Sequence, residues 1–424
     1  MIMRVLVNNK LFRNGALFSI FSFLNSGISF LLLFVLANYF SPEEYGYLNL
    51  FTTITTVFSL LVTLNTNGFF SISYFRVSEE TLKRIISCVL VVSFIVSFFF
   101  GVLIICFSSI SSKIIGIGFQ YQLIALIICF FQVFITLKLE IWRLEERPIS
   151  YGVFTFGIAV FSAIFALYFV IKLDMGWLGR VYSQLLIIVS FFIISATLLI
   201  KEGYITRLEP TKKIMKEALL YGVPLVPHSL STWIRQGLDR YIINLYLGVT
   251  EVGYFSFAFN IYNIILMIGT AFNATNSVHL FKILSEVNKD EAEVKRKLRK
   301  QIKLMCVFFL AIALIIIMCS YIFIPIVFPQ YNPSIPYLFP LVAAGFFQCL
   351  YFLFVNFLFF YKKTKKLMII TISVSVFHLL LSLAFTRFGM IYTAYISLFS
   401  NFLICLFVII YSNRYLNFNL RKVV

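Results

Sequence analysis

His228, Thr232, Arg235 and Asp239 follow one another at intervals of four, three and four residues. At 100° per residue they fall within about 60° of one another on one helical face. Arg235 carries five N–H donors in a planar fork that matches carboxylates and phosphates. Asp239, four residues on, lies within reach of it for an ion pair. This face therefore does one of two things: it neutralises itself inside a helix interface, or it lines the path of an anionic substrate. His228, beside Pro227, is a titratable group suited to proton coupling, or a hydrogen-bonding packing residue. Pro224 and Pro227 remove two backbone donors from the same stretch and bend it, as a hinge or as a static kink.

Further polar residues sit where apolar ones would be expected. Asn25, Ser26 and Ser29, with Ser22, mark one face of the first apolar run. The second run contains TTITT and LNTN, and the eighth contains Asn260, Asn263, Asn273, Asn276 and His279. Such residues glue helices together or line a hydrophilic cavity; their recurrence in equivalent elements favours a cavity. Arg76, at the end of the second run, is a candidate for the mouth of that cavity. The connector 137–152 mixes Glu140, Arg143, Glu145, Glu146 and Arg147 at helical spacing, which reads as a solvated, ion-paired turn or as a second part of the mouth.

The elements that must position these side chains are set by composition. The 424 residues are 61% hydrophobic and 12% charged, with a mean hydropathy of +0.96, whereas a soluble domain carries about 25% charged residues. No water-soluble core absorbs that much apolar surface, so the bilayer is the solvent. The apolar runs reach about 20 residues, enough to cross roughly 30 Å of hydrocarbon as helices, and strand-type alternation is absent. The spans are 16–39, 47–69, 85–107, 114–137, 150–171 and 177–200, then 218–247, 253–281, 301–326, 337–361, 367–385 and 389–411. The first run is too long for a cleaved signal segment. The seven cysteines all lie in apolar runs without CxxC spacing, and the three histidines are scattered, so neither a metal site nor a disulfide framework is expected.

Most of the 35 Lys and Arg residues fall on alternate connectors. This positive-inside bias places both termini in the cytoplasm. Lys113, Lys172, Arg180, Arg240 and Arg387 fall on the other side, with Arg240 at the external rim. The run 289–303 reads as a solvated cytoplasmic helix, or as a contact for lipid head groups.

An internal repeat divides the chain. Glu44, Gly46 and Tyr47 in FSPEEYGYLNLFTTI map onto Glu251, Gly253 and Tyr254 in LGVTEVGYFSFAFNI at an offset of 207, and Gly15 maps onto Gly222. The division predicts an N-terminal six-helix lobe over 1–210 and a C-terminal one over 211–424, with a substrate path between them. Mapping the first span forward by the same offset extends the seventh past Leu238 and centres it on Arg235. An arginine near mid-bilayer costs at least about 2.5 kcal/mol, so it must face a wet cavity or a partner.

The segments Ser41 to Gly46, LLYGVPLVPHSLSTWIRQGLDRYII (219–243) and LGVTEVGYFSFAFNIYNI (247–264) carry a resemblance. The chain resembles the polysaccharide transporter family, the Wzx-type O-antigen flippases of the multidrug/oligosaccharidyl-lipid/polysaccharide exporter superfamily. The resemblance implies an all-α integral membrane fold of about twelve helices in two lobes forming a V. It also implies transport of undecaprenyl-diphosphate-linked oligosaccharides, of O-antigen, capsule or exopolysaccharide type, from the cytoplasmic to the periplasmic leaflet of the bacterial inner membrane. The implied mechanism is alternating access driven by a proton or sodium gradient, without covalent chemistry or a bound cofactor. Polymerase and chain-length proteins of the same pathway are the implied partners. The competing readings are a drug or small-molecule exporter on the same fold, a lipid II flippase with additional helices, and an O-antigen polymerase. The polymerase would need a sizeable external loop, and the external connectors are short.

Overall fold

The apolar runs become long helices because a backbone in hydrocarbon must satisfy its own hydrogen bonds. The computed structural model describes residues 10–205, 208–285 and 291–416, and among them there is no strand. The helices of the first half are α1 (Lys10–Ala37), α2 (Pro42–Thr63), α3 (Thr66–Ser73), α4 (Glu79–Cys106), α5 (Ser108–Ile115), α6 (Phe119–Leu144), α7 (Pro148–Leu167, continued by a π turn over Tyr168–Lys172) and α8 (Gly176–Lys201). The second half holds α9 (Lys212–Gly222), α10 (Val226–Gln236), α11 (Leu238–Leu247), α12 (Val249–Ser285), α13 (Glu291–Val327), α14 (Ile335–Phe360), α15 (Thr364–Phe385) and α16 (Met390–Leu416).

Local signals fix many boundaries. Ser41 caps α2 in a capping box: its hydroxyl accepts the Glu44 amide at 3.2 Å, and the Glu44 carboxylate accepts the Ser41 amide at 3.0 Å. Pro42 supplies the first turn, where a missing N–H is harmless. The S-P-E-E-Y-G motif is thus first of all a helix start. The repeat offset of 207 carries Pro42 onto Val249, the first residues of α2 and α12. Ser78 caps α4, and Pro148 opens α7.

Eleven helical segments among the described residues are long and apolar enough to cross a membrane. The expected seventh span, 218–247, is not one unbroken helix. A 3₁₀ turn over Val223–Leu225 separates α9 from α10, and Gly237 separates α10 from α11. Pro224 lies in that turn and Pro227 in the first turn of α10, so the missing donors explain the first interruption. A further interruption lies in the second span. The second span ends at Thr63 and resumes at Thr66, across Leu64 and Asn65, both left-handed (φ 44° and 55°). The run 289–303 begins outside the described residues and continues as the first turns of α13, where Arg296, Arg299 and Lys300 are exposed.

The described residues form two compact units, the first ending at Leu230 and the second starting at Ser231. The first unit takes in α9 and the first residues of α10. There Gly222 lies so close to the broken second span that a Cβ on it would sit 2.2 Å from the Leu64 carbonyl oxygen. Only glycine admits that approach. The rest of the first unit pairs α1 with α7 and groups α2, α4 and α8 around α6. Tyr45, Phe51, Phe70 and Ile135 are buried in it. The second unit is built on α14, which packs on α12, α13 and α16, while α15 lies along α16.

Candidate functional site

The second unit holds a polar interior made by α10, α11, α15 and α16. Its first centre is Arg235, 7% exposed near the C-terminal end of α10. Arg235 Nε donates to Ser375 Oγ of α15 at 3.0 Å. The Ser375 hydroxyl in turn lies 2.8 Å from the Ser231 carbonyl oxygen and 2.7 Å from that of Thr371. The ionisable neighbours of the guanidinium are the phenols Tyr351 of α14 and Tyr262 of α12, and no carboxylate among the described residues pairs with it. A buried cation with most of its donors uncommitted is costly in a membrane unless an anion completes it.

The second centre is Asp239, 2% exposed in the first turn of α11. Both of its carboxylate oxygens lie 3.1 Å from His378 Nε2 of α15. Ser382 donates to Oδ1 at 2.8 Å, and Ser397 of α16 donates to Oδ2 at 3.3 Å. His378 Nδ1 lies 3.0 Å from Ser400 Oγ. Beyond this cluster Thr386 and Thr393 share a hydrogen bond of 2.8 Å.

The i,i+4 pair of Arg235 with Asp239 is therefore not formed. Gly237 ends α10 between the two residues, and each finds its partner on α15 instead. His228 and Thr232, on the same face by sequence, are exposed, so the four residues do not converge on one point. Arg240 turns inward. It is 7% exposed, with Nε donating to Ser256 of α12 at 3.0 Å, Nη1 donating to the Gln236 carbonyl at 2.7 Å, and its guanidinium 4.6 Å from the Phe259 ring centre.

The α12 asparagines differ from one another. Asn273 accepts from Asn356 of α14 at 2.7 Å, and Asn276 accepts from Gln301 of α13 at 2.8 Å, so both bridge helices. Asn260 is buried and accepts from Asn263 at 3.5 Å, within α12. The side chain of His279 lies outside the described side chains. On α1, Ser26 and Ser29 are exposed, while Asn25 is half-buried with its Oδ1 sealed from solvent and unbonded. Arg76 is exposed in the turn after α3. Pro224 and Pro227 flank the start of α10, both exposed.

The connector 137–152 is less solvated than its charges suggest. Lys138 is fully buried in an ion pair with Glu202 and lies 4.7 Å from the Trp142 ring centre. Glu140 accepts from Ser71 of α3 and pairs with Arg143. Tyr204 donates to Glu145 at 2.9 Å, and Asn14 of α1 donates to Glu146 at 3.4 Å. Burial, with hydrogen bonds to Tyr74 and Glu145, pushes the Tyr204 phenol above its ordinary range.

His378, Ser382, Ser397 and Ser400 are functional candidates that the sequence reading passed over. Their signal is present: Thr371, Ser375, His378 and Ser382 repeat the four, three, four spacing of the first face, and Thr393, Ser397 and Ser400 repeat part of it. The strongly apolar surroundings of α15 and α16 hid these stripes.

Comparison with known proteins gives the chain its context. The sequence profile of a family described as "Polysaccharide biosynthesis protein" matches residues 35–336. No curated protein sequence matches the chain. Among solved structures the chain is similar to a lipid II flippase, MurJ, in an inward closed conformation (16% identity, TM-score 0.73, covering 94% of this chain and 87% of that one). It is also similar to an inward-facing multidrug resistance transporter of the MATE family and MOP superfamily (17% identity, TM-score 0.69, covering 92% and 95%). A MOP superfamily transporter from Pyrococcus furiosus matches with 15% identity and a TM-score of 0.61 over 96% of each chain. These likenesses establish an all-helical, multi-pass membrane transporter fold.

Proposed function

Since the chain belongs to the polysaccharide biosynthesis protein family, we propose that it is a flippase for lipid-linked oligosaccharides. Its cargo is an undecaprenyl-diphosphate-linked repeat unit of O-antigen, capsule or exopolysaccharide. The unit moves from the cytoplasmic to the outer leaflet of the bacterial plasma membrane by alternating access, with both termini of the protein in the cytoplasm. No covalent bond in the cargo is made or broken, so the protein acts as a transporter and not as an enzyme.

The observation that carries this reading is Arg235, buried against α15 in the second unit and unpaired with any described carboxylate. A diphosphate crossing a low-dielectric barrier needs such a donor set, because charge-assisted hydrogen bonds to a guanidinium replace its lost water. Tyr262 and Tyr351 beside Arg235, with the amide side chains of α12, suit sugar hydroxyls and ring faces. The prenyl tail stays in lipid. A similar fold carries a lipid II flippase, another protein named for a lipid-linked cargo. An ion gradient, of protons or sodium, drives the cycle, and the polymerase and chain-length proteins of the pathway take over the delivered unit.

The test is depletion of the protein followed by leaflet-resolved detection of the lipid-linked unit, in cells with no redundant flippase. Accumulation in the cytoplasmic leaflet is the expected result. Arrival of the unit in the outer leaflet at the normal rate defeats the assignment, and loss of drug export with normal flipping transfers it to a small-molecule exporter.

A further inference from the structure

We infer that Asp239 and His378 form a proton-binding pair whose state is transmitted along α15 to the anion site at Arg235. This rests on the flippase reading only in taking Arg235 as the anion site. The proton site stands on its own geometry.

The position of His378 Nε2 selects the ion. It lies 3.1 Å from both oxygens of Asp239, on the bisector of the carboxylate, where a bidentate cation would have to sit. Ser382 and Ser397 add hydroxyl donors to the same two oxygens. An imidazole nitrogen thus occupies the place that a bidentate sodium would take, while the two hydroxyls hold the carboxylate oxygens in position.

Ser400 makes both protonation states acceptable. A hydroxyl donates as well as accepts. With one proton shared, His378 Nε2–H donates to Asp239, and the bare Nδ1 accepts from Ser400. With a second proton, Nδ1–H donates to Ser400 Oγ across the same 3.0 Å. Both ring nitrogens of His378 thus keep a partner in either state, so the imidazole gains or loses a proton without being orphaned. All of these side chains are 3% exposed or less.

Other charged and titratable groups on the packed elements are engaged elsewhere. On α10, Arg235 bonds to Ser375. On α11, Arg240 turns to Ser256 and Phe259 of α12, and Tyr241 lies against Trp233. In the 3₁₀ turn after α15, Arg387 is exposed against Phe388, and Tyr392 and Tyr395 at the start of α16 are exposed. On α12 the nearest acid to the helix start is Glu251, twelve residues along the chain from Asp239.

Transmission follows from the two contacts made by α15. Ser375 holds Arg235 and His378 holds Asp239, one helical turn apart on the same helix and on either side of the Gly237 interruption. An added proton converts the pair from net negative to neutral. It removes a negative charge that competes with an incoming anion for Arg235, so proton and anion bind with positive coupling, and the coupling is reciprocal.

The experiment uses full-length protein in detergent. Infrared difference spectra recorded through a pH titration should show carboxyl and imidazole bands that vanish in both Asp239→Asn and His378→Gln. Acidification should also tighten binding of a short-chain prenyl diphosphate about fivefold or more, and His378→Gln should make that binding independent of pH. Ser400→Ala, which keeps the pair and removes only the hydroxyl, should shift the midpoint of the titration without abolishing it; this variant decides the matter if His378→Gln fails to fold. Bands that survive in both variants, a midpoint unmoved in Ser400→Ala, or a titration displaced by sodium at fixed pH would each overturn the inference. Arg235→Lys should weaken prenyl diphosphate binding and leave the infrared titration intact. Failure of wild-type protein to bind the diphosphate at any pH would count against the flippase reading while the infrared bands still decide the proton pair.

Discussion

Arg235 and Asp239 stand four residues apart and have separate partners on one helix: Arg235 Nε meets Ser375 Oγ at 3.0 Å, and Asp239 meets His378 Nε2 at 3.1 Å. Helical periodicity alone would join them in an ion pair. The interruption at Gly237 and the polar stripe of α15 give each charge its own environment, one cationic and one anionic, inside the second unit.

Replacing Arg235 therefore separates charge from geometry. Hydrogen bonds to charged groups contribute about 1.5 to 3 kcal/mol, so Arg235→Ala should lower transport of a lipid-linked oligosaccharide in proteoliposomes by about ten- to a hundredfold. Arg235→Lys keeps the charge but loses the fork, and should fall between. Equal transport by all three proteins would reduce Arg235 to a packing residue.

The repeat pairs Gly15 with Gly222, but the two glycines have different jobs. A Cβ on Gly222 would lie 2.2 Å from the Leu64 carbonyl oxygen, whereas one on Gly15 would meet nothing within 4 Å. Gly222→Ala should destabilise the purified protein by about 1 to 3 kcal/mol, as overpacking does, and Gly15→Ala should leave its melting temperature unchanged. The measurement is thermal unfolding in detergent; an unaffected Gly222→Ala would mean that the broken second span moves aside at little cost.

At the start of α2 the capping box is open to direct test. Ser41→Ala removes the acceptor for the Glu44 amide and should cost about 1 kcal/mol. Glu44→Gln keeps a side-chain oxygen for the Ser41 amide and should cost less. The reverse order in melting temperature would show that the Glu44 charge, and not the cap, holds this helix start.

How much of this was legible in the chain depends on what the physics of each feature writes into sequence. Helix positions were readable because hydrocarbon demands long apolar runs, but the spans expected from 47 and 253 begin earlier, at Pro42 and Val249, because the polar motif at each is itself the first turn. Pro224 and Pro227 pointed to a bend, and a 3₁₀ turn over Val223–Leu225 lies at that place. The interruption at Leu64 and Asn65 carries no glycine or proline to announce it. The Asp239 partners were missed because they come from helices more than a hundred residues away, where His378 is surrounded by apolar side chains. Lys138 read as a solvated connector because its partner Glu202 lies far along the chain.

Alkaline unfolding should report on Tyr204. Burial and hydrogen bonds to Tyr74 and Glu145 favour its neutral phenol in the folded protein, so its ionisation is raised relative to an unfolded chain. A group raised in this way adds stability that is complete below the unfolded value, about pH 10 for tyrosine, and is lost as the pH climbs above it. Stability should fall more steeply above about pH 10 in the wild type than in Tyr204→Phe. Parallel curves for the two proteins would place the phenol in free contact with solvent.

The Lys138 and Glu202 pair yields the sharpest test of packing in the first unit. The lysine side chain is fully buried and that of Glu202 is 32% exposed. Removing the acid leaves a buried ammonium with only the face of Trp142, whose ring centre is 4.7 Å away, to compensate it. Breaking a buried pair from one side costs about 3 to 5 kcal/mol, because the surviving charge is stranded. The partial exposure of Glu202 lets water reach its side of the pair, which puts Glu202→Gln at the lower end of that range. Lys138→Met strands only the half-exposed carboxylate and should cost less. The double variant removes both charges, and a well-packed methionine recovers the apolar contact with Trp142, so its stability should exceed that of Glu202→Gln alone. A double-mutant cycle of melting temperatures measures the coupling, and strictly additive losses would show that the two side chains do not interact in the folded protein.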